Sequence, residues 1–287
     1  MSASDAEPAA APPGNPDSGP GAHADAAQHP VREHPVREHL APTPGLDIDV
    51  IHAEETFVVV NKPAGMLSVP GRGEDKQDCA RVRVEQRFPE ATGSITCHRL
   101  DMDTSGLLVM ALEPKTHVKL SRQFEKRRVR KWYEALLERP IDPAMGHTHD
   151  ADGTRRGEVR FHQVVDWANR PLQKVDWKRG REGHSEWIDR GTEAFTTPAG
   201  DTITAQRVEL RPRTGRTHQL RIHCAFPVEI EGPEGDRAPG GLASPILGDR
   251  LYGDETLAPR LCLHARRLGF WHPWSGEWVS FESSTPF

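Results

Sequence analysis

The sequence predicts a mixed fold of short strands and short helices behind a polar tail, and three observations lead there. Apolar residues fall into brief runs with β-branched members, such as residues 56–60 (TFVVV) and 107–112 (LLVMAL), which suit strands. Residues 78–88 and 114–126 scatter their apolar side chains among charges, as short helices do. Residues 1–45 are rich in Ala, Pro, Gly, Asp and His and hold almost no large apolar side chain. Such a segment cannot bury enough surface to offset its ordering entropy. Residues 1–45 therefore read as a disordered tail and residues 46–287 as the folded domain. The repeated HPVRE at 29–33 and 34–38 is too short for a solenoid unit, and His23, His29, His34 and His39 read as solvated.

The folded region opens with strands at Ile48–Val50 and at 56–60, with a turn between them at 53–55. In NKPAGMLSVPG (61–71), Pro63 and Gly65 force a sharp departure from the strand. The helix at 78–88 ends at Pro89. Residues 97–112 read CHRLDMDTSGLLVMAL, a polar cluster of His98, Arg99, Asp101, Asp103, Thr104 and Ser105, then Gly106 and a run suited to a strand buried on both faces. The cluster is either a catalytic loop held beside a packed sheet or a solvated turn, since Asp, Thr, Ser and Gly all favour turns. The helix at 114–126 starts on Pro114, whose missing N–H the first turn tolerates. Residues 129–138 (VRKWYEALLE) read as a strand with Lys131, Tyr133 and Ala135 on one face. Residues 178–201 turn polar and glycine-bearing and read as a surface loop. A strand is expected at 202–211, a turn at Thr214–Gly215, and helical spacing at Leu220, Ile222 and Ala225. Residues 227–243 are Gly-, Pro- and Glu-rich, and WVSF (278–281) reads as a last strand.

The formal net charge of −5 argues mildly against a nucleic-acid partner. The average hides a segregation. RQFEKRRVRK (122–131) carries six cations against one acid, and Arg211, Arg213, Arg216 and Arg221 form a second basic group. Local field decides what docks, so RNA stays open. No run approaches the ~20 apolar residues that span a bilayer, and no secretory pattern opens the chain. Cys79, Cys97, Cys224 and Cys262 suggest no disulfide framework. The expectation is a cytoplasmic protein with reduced thiols and no membrane contact.

Adjacent Cys and His, as at 97–98 and 223–224, do not easily face one tetrahedral zinc. Asp101 and Asp103 could stand as a glycosidase pair, but no aromatic sugar platform accompanies them. P-loop, dinucleotide and nucleophile-elbow patterns are missing. A non-catalytic RNA-binding module would explain the cations, though not a carboxylate among them.

HRLDMDTSGLLVMA (98–111) resembles the signature loop of the RluA-type pseudouridine synthases. In that family the aspartate after the leucine is the essential catalytic carboxylate, which falls on Asp101; Asp103 sits at a variable position. NKPAG is similar to the family's NKPxG loop, and VRKWYEALLE to its strand with a lysine and, two residues on, a tyrosine: Lys131 and Tyr133. GRTHQLRIH (215–223) matches a further motif, whose latter arginine pairs with the catalytic carboxylate, here Arg221. VDWANRPLQK (165–174) resembles a stretch of the RluA branch itself. PILGDRLYG (245–253) is intact, with Ser244 in place of the usual histidine, and residues 261–270 resemble the family's LHA strand. The resemblance spans about residues 48–287, with 178–201 and 227–243 as surface insertions.

It implies an α+β pseudouridine synthase fold, a mixed and mostly antiparallel central sheet flanked by helices around an active-site cleft. It implies isomerisation of uridine to pseudouridine in a large-subunit (23S) rRNA hairpin, a tRNA anticodon loop, or both, with no cofactor and no metal. Asp101 would act on the nucleoside, by covalent addition or by stabilising charge and moving protons. Arg221 would keep it ionised, and Tyr133 would stack on the extruded uracil. Arg99 would fill the vacated space. His98, Lys131, Arg127, Arg128, Arg216 and His218 would contact RNA. No obligate protein partner is implied, and a monomer is expected.

Overall fold

A computed structural model of the chain describes residues 48–142 and 145–287; the tail expected over residues 1–45 lies outside them. The first elements are β1 (Asp49–Ala53), β2 (Phe57–Lys62), α1 (Ala80–Arg87), β3 (Ser105–Ala111), α2 (Pro114–Glu125) and β4 (Arg130–Leu137). Then come β5 (Thr148–His149), β6 (Arg155–Val165), β7 (Gln173–Val175), β8 (Arg181–Thr196), β9 (Thr202–Pro212) and α3 (Gln219–Ala225). The chain closes with β10 (Glu229–Glu231), β11 (Arg237–Pro239), β12 (Leu263–Trp271) and β13 (Trp278–Glu282).

Eleven strands form one sheet in the order β1-β2-β3-β12-β4-β9-β8-β6-β5, with β13 also on β12 and β7 also on β6. Only β3 and β12 pair in parallel, His264 opposite Ser105 and Ala265 opposite Gly106; the other pairs are antiparallel. This is the expected mixed, mostly antiparallel α+β sheet. β3 is buried along its whole length. Its Leu108 and Met110 pack with Val60, Val84 and Leu100 on the α1 side, while Leu107, Val109 and Ala111 pack with Leu120 and Phe270 on the α2 side. A further core joins β4, β6, β8, β9 and α3 through Leu136, Phe161, Trp187, Val208 and Ile222.

Residues 178–201, expected as a loop, are corrected to mostly strand: β8 runs sixteen residues between β6 and β9. Its inward positions include Gly183 and Ser185 as well as Trp187. A Cβ on Gly183 would come within 2.8 Å of both Gln163 and His223, so packing beneath α3 demands a residue too small to register as apolar alternation. Residues 227–243 carry the separate β10–β11 pair.

The parallel junction depends on Gly106. Its φ of 114° disfavours side chains, and a Cβ there would strike the backbone of Ala265. Gly106→Ala should lower unfolding free energy by more than about 2 kcal/mol, read as a reduced urea midpoint; an unchanged midpoint would show that β3 and β12 can separate at no cost.

Candidate active site

The loop before β3 is pinned on both sides of Asp101. On one side, Ser68 Oγ donates to the Leu100 carbonyl at 2.7 Å and accepts from its N–H at 3.0 Å. On the other, the Met102 carbonyl accepts from Lys62 Nζ at 3.0 Å and from the Gly65 N–H at 2.9 Å. The Asp101 carbonyl takes the Thr104 N–H at 3.2 Å, closing the turn. Asp101 itself stays half-buried.

Lys62, at the end of β2, is fully buried. Its Nζ also donates to the carbonyls of Pro63 (2.8 Å) and Met66 (2.7 Å). Burial pushes its pKa down to about 7, against the opposing fields of Asp101 and Asp103. Three carbonyl acceptors match the three protons of an ammonium, so the geometry suits the charged form. His98 begins the loop. Its Nε2 accepts the Val109 N–H at 3.1 Å, and its ring stacks on Phe124 with centroids 4.3 Å apart. Burial pulls its pKa down to about 3, then Lys131's charge adds to the effect, so the ring is neutral.

A cleft of about 480 Å³ opens over Asp101. Its lining includes Arg99 beside Asp101, Arg127 just after α2, Lys131 and Tyr133 from β4, Arg213 and Arg216 from the β9–α3 connection, and Arg221 from α3. Lys131 Nζ donates to the Thr214 carbonyl at 3.4 Å, and burial holds its pKa down to about 8. Burial, then the field of Asp101, raises the Tyr133 phenol, which keeps it protonated. Arg216 Nε donates to the Glu182 carbonyl at 3.0 Å. His218 takes a left-handed φ of 55° just before α3, and its Nδ1 lies 3.0 Å from the Tyr252 hydroxyl. Burial lowers its pKa, with Asp101 opposing. Neither His218 nor half-buried Arg128 is among the cleft-lining residues.

Arg221 corrects an expectation. Rather than pairing directly with Asp101, it makes a bidentate pair with Asp249, Nε to Oδ2 at 2.8 Å and Nη2 to Oδ1 at 2.5 Å. Its Nη1 is 3.6 Å from Asp103. Asp249 is fully buried, and its Oδ1 also accepts the N–H groups of Leu251 (2.9 Å) and Tyr252 (3.2 Å). A buried guanidinium is best satisfied by a carboxylate that is itself fully buried and held by backbone amides, as Asp249 is and half-buried Asp101 is not. Burial opposes the charge of Arg221, but Asp249's hydrogen bonds and field, followed by the fields of Asp101 and Asp103, raise its pKa. Asp103 is held by Arg250 at 2.9 Å.

Lys62, Asp249 and Tyr252 were not singled out from the sequence, although they lie in NKPAG and PILGDRLYG. A lysine ending an apolar strand was the available signal for Lys62. Among the described residues one grouping could jointly face a cation, Glu158, His184 and Glu186. Its carboxylates already meet Arg160 (3.3 Å) and Arg213 (2.6 Å). No described helix is long and apolar enough to cross a membrane, and all four cysteines are free.

With this geometry in view, the chain belongs to the RNA pseudouridylate synthase family, whose model matches residues 56–226. Within it the chain is an RluA-type enzyme. It is 37% identical over 250 residues to the dual-specificity RNA pseudouridine synthase RluA of Pasteurella multocida, covering 85% of this chain and 97% of the relative. It is 36% identical over 241 residues to RluA of Escherichia coli K12, covering 83% and 93%. The solved structure of human RNA pseudouridylate synthase domain containing 1 superposes with a TM-score of 0.60 at 27% identity, over 86% of this chain and 87% of that one. The protein is an RNA pseudouridine synthase, and RNA is its substrate.

Two outcomes follow from the buried charges. Lys131 is cationic below a pKa of about 8 and neutral above it, so RNA affinity should fall as pH rises from about 7 to 9, and Lys131→Arg should flatten that fall because arginine stays charged. An equally steep decline in Lys131→Arg would assign it to another group. Asp249→Asn strands the buried guanidinium and should cost about 3–5 kcal/mol in urea unfolding. Asp249→Leu combined with Arg221→Met should recover much of that stability without recovering turnover.

Proposed function

We propose that the enzyme isomerises uridines in a 23S rRNA hairpin, a tRNA anticodon loop, or both, with Asp101 as the catalytic carboxylate. It works as a cytoplasmic monomer without an obligate protein partner. One observation carries the reading: Asp101 sits on backbone pinned on both sides, in a cleft lined by six arginines and lysines. A carboxylate among phosphate-binding cations weakens binding, so its presence is explained by chemistry. The names of the relatives, dual-specificity RNA pseudouridine synthases, support action on more than one RNA, and the choice of these two rests on the resemblance.

The reaction breaks the bond between uracil N1 and ribose C1′ and forms one from C5 to C1′. N1 gains a proton and C5 loses one, with no redox change, so the chemistry calls for no cofactor and no metal. Asp101 meets the nucleoside as charge develops on the separating sugar and base, either by bonding to it or by stabilising that charge and moving protons. Arg221 acts through its positive field, held in place by Asp249 and kept ionised at all working pH. Tyr133, protonated and in the cleft wall, stacks on the extruded uracil. Arg99, exposed on the same loop as Asp101, fills the space the base leaves. Lys131, Arg127 and Arg216 meet phosphates in the cleft. Arg128 and His218 contact the RNA from just outside it, and His98 serves by anchoring the loop that carries Arg99.

The test uses stem-loop transcripts labelled with tritium at uracil C5, one representing each RNA class. Wild type should release tritium as water from at least one. Asp101→Asn should release none while still binding, because it keeps size and loses charge. Asp103→Asn should retain substantial turnover. An active Asp101→Asn beside a dead Asp103→Asn would overturn the assignment of the carboxylate, and release from neither transcript would overturn the choice of RNAs.

A further inference from the structure

The VDWANRPLQK stretch has no part in the chemistry above, yet it presents the most exposed large apolar side chain among the described residues. Trp167 is 70% exposed at the tip of the β6–β7 hairpin. The Arg170 guanidinium lies 4.1 Å over its ring. We propose that Trp167 and Arg170 form an RNA-binding surface outside the cleft, stacking an unpaired base that flanks the target uridine. The proposal rests on the chain's action on RNA and extends it to how the strand leaves the site.

Three features favour this reading. The tip is built to hold its shape: Asp166 accepts from the Asn169 side chain at 2.9 Å and pairs with Lys174 at 3.6 Å. Backbone bonds from Asn169 to Asp166 (3.1 Å), Leu172 to Asn169 (3.0 Å) and Asp166 to Leu172 (2.9 Å) lock the turn. The backbone that carries the indole is therefore ordered rather than slack. The tip also stands beside the site. The last hairpin pair joins Val165 to Gln173, and the Gln173 N–H donates to the Tyr252 hydroxyl at 2.8 Å. That hydroxyl meets His218, and the Tyr252 ring lies 5.6 Å from the Arg221 guanidinium. Trp167 is two residues beyond this anchor, no more than about 7 Å along the chain, so the tip adjoins the Tyr252–Arg221 side of the site. Finally, the chemistry matches RNA: the indole face opposite Arg170 takes any base by stacking, and the guanidinium over the other face meets a neighbouring phosphate.

The other strongly exposed tryptophan makes a useful contrast. Trp274 is 49% exposed, but its indole N–H donates to Thr116 at 2.9 Å and Lys119 covers its ring at 3.4 Å, so it serves to tie down α2. No hydrogen bond of the Trp167 indole is found among the described residues.

The experiment compares the full-length wild type, Trp167→Ala, Trp167→Phe and Trp274→Ala on a stem-loop with unpaired nucleotides on both sides of the target uridine. Trp167→Ala should weaken equilibrium RNA binding about ten- to a hundredfold, Trp167→Phe less, and Trp274→Ala not at all. The single-turnover rate at saturating RNA should be unchanged in Trp167→Ala. Replacing the flanking bases by abasic sites should weaken wild type and abolish its advantage over Trp167→Ala. Wild-type affinity in Trp167→Ala would overturn the proposal, as would a deficit that persists on abasic RNA. A change of oligomeric mass with RNA affinity intact would also overturn it and assign the surface to a second copy of the chain. Because binding is measured apart from turnover, a wild type inactive on the chosen transcript would count against the substrate assignment and leave the binding comparison decisive.

Discussion

The Lys62 ammonium, shut away from water at the end of β2 and shared among the carbonyls of Pro63, Met66 and Met102, is the contact on which the site depends. It joins two loops some forty residues apart in sequence. Desolvating a cation is costly, and here the cost is offset by three hydrogen bonds and by the nearby charges of Asp101 and Asp103. The same cation thus orders the backbone beside Asp101 and adds positive potential behind it. Ser68 completes the clamp at Leu100. A carboxylate held in this way needs little reorganisation when charge develops opposite it.

The acidic balance of the whole chain does not reach the cleft, because its lining holds two acids, Asp101 and Glu125, against six arginines and lysines, and several acids close by are engaged. Glu209 pairs with Arg190 and Arg211, Glu186 with Arg213, Asp103 with Arg250, and Asp249 with Arg221. Among the described residues no carboxylate pairs with the exposed Arg99 or Arg127, which line the opening. The resulting local field attracts a polyanion although the sum is −5. Long-range steering and fixed local charge are therefore carried by different arginines.

Much of this was legible in order. The polar cluster, glycine and apolar run at 98–112 announced a loop feeding a buried strand, and β3 is buried throughout. Lys131 and Tyr133 share a face because strands alternate, and both line the cleft. Two things were not legible. β8 reads as a loop because its inward side uses Gly183 and Ser185, so a strand packed against His223 leaves no apolar alternation to see. The partner of Arg221 is hidden because three acids, Asp101, Asp103 and Asp249, all lie within its field. Which of them takes the bidentate contact is decided by burial and by the Leu251 and Tyr252 amides, neither of which the sequence displays.

Depth divides the labour among the cleft residues. On the proposed mechanism, extruding a nucleotide costs a few kcal/mol before chemistry begins, and exposed cations such as Arg99 and Arg127 would offset that cost through phosphate contacts. Tyr133, Lys131 and Arg221 are already partly or wholly desolvated by the fold. They can contribute little to first encounter, but their fields act at low local dielectric on whatever charge forms near Asp101. Exchanging the two sets would fail in both directions: a buried cation cannot capture RNA at a distance, and a solvated one is screened when the glycosidic bond breaks. The sheet enforces the arrangement, because β4 brings Lys131 and Tyr133 to the cleft from its centre, while Arg99 and Arg127 come from loops at its margin.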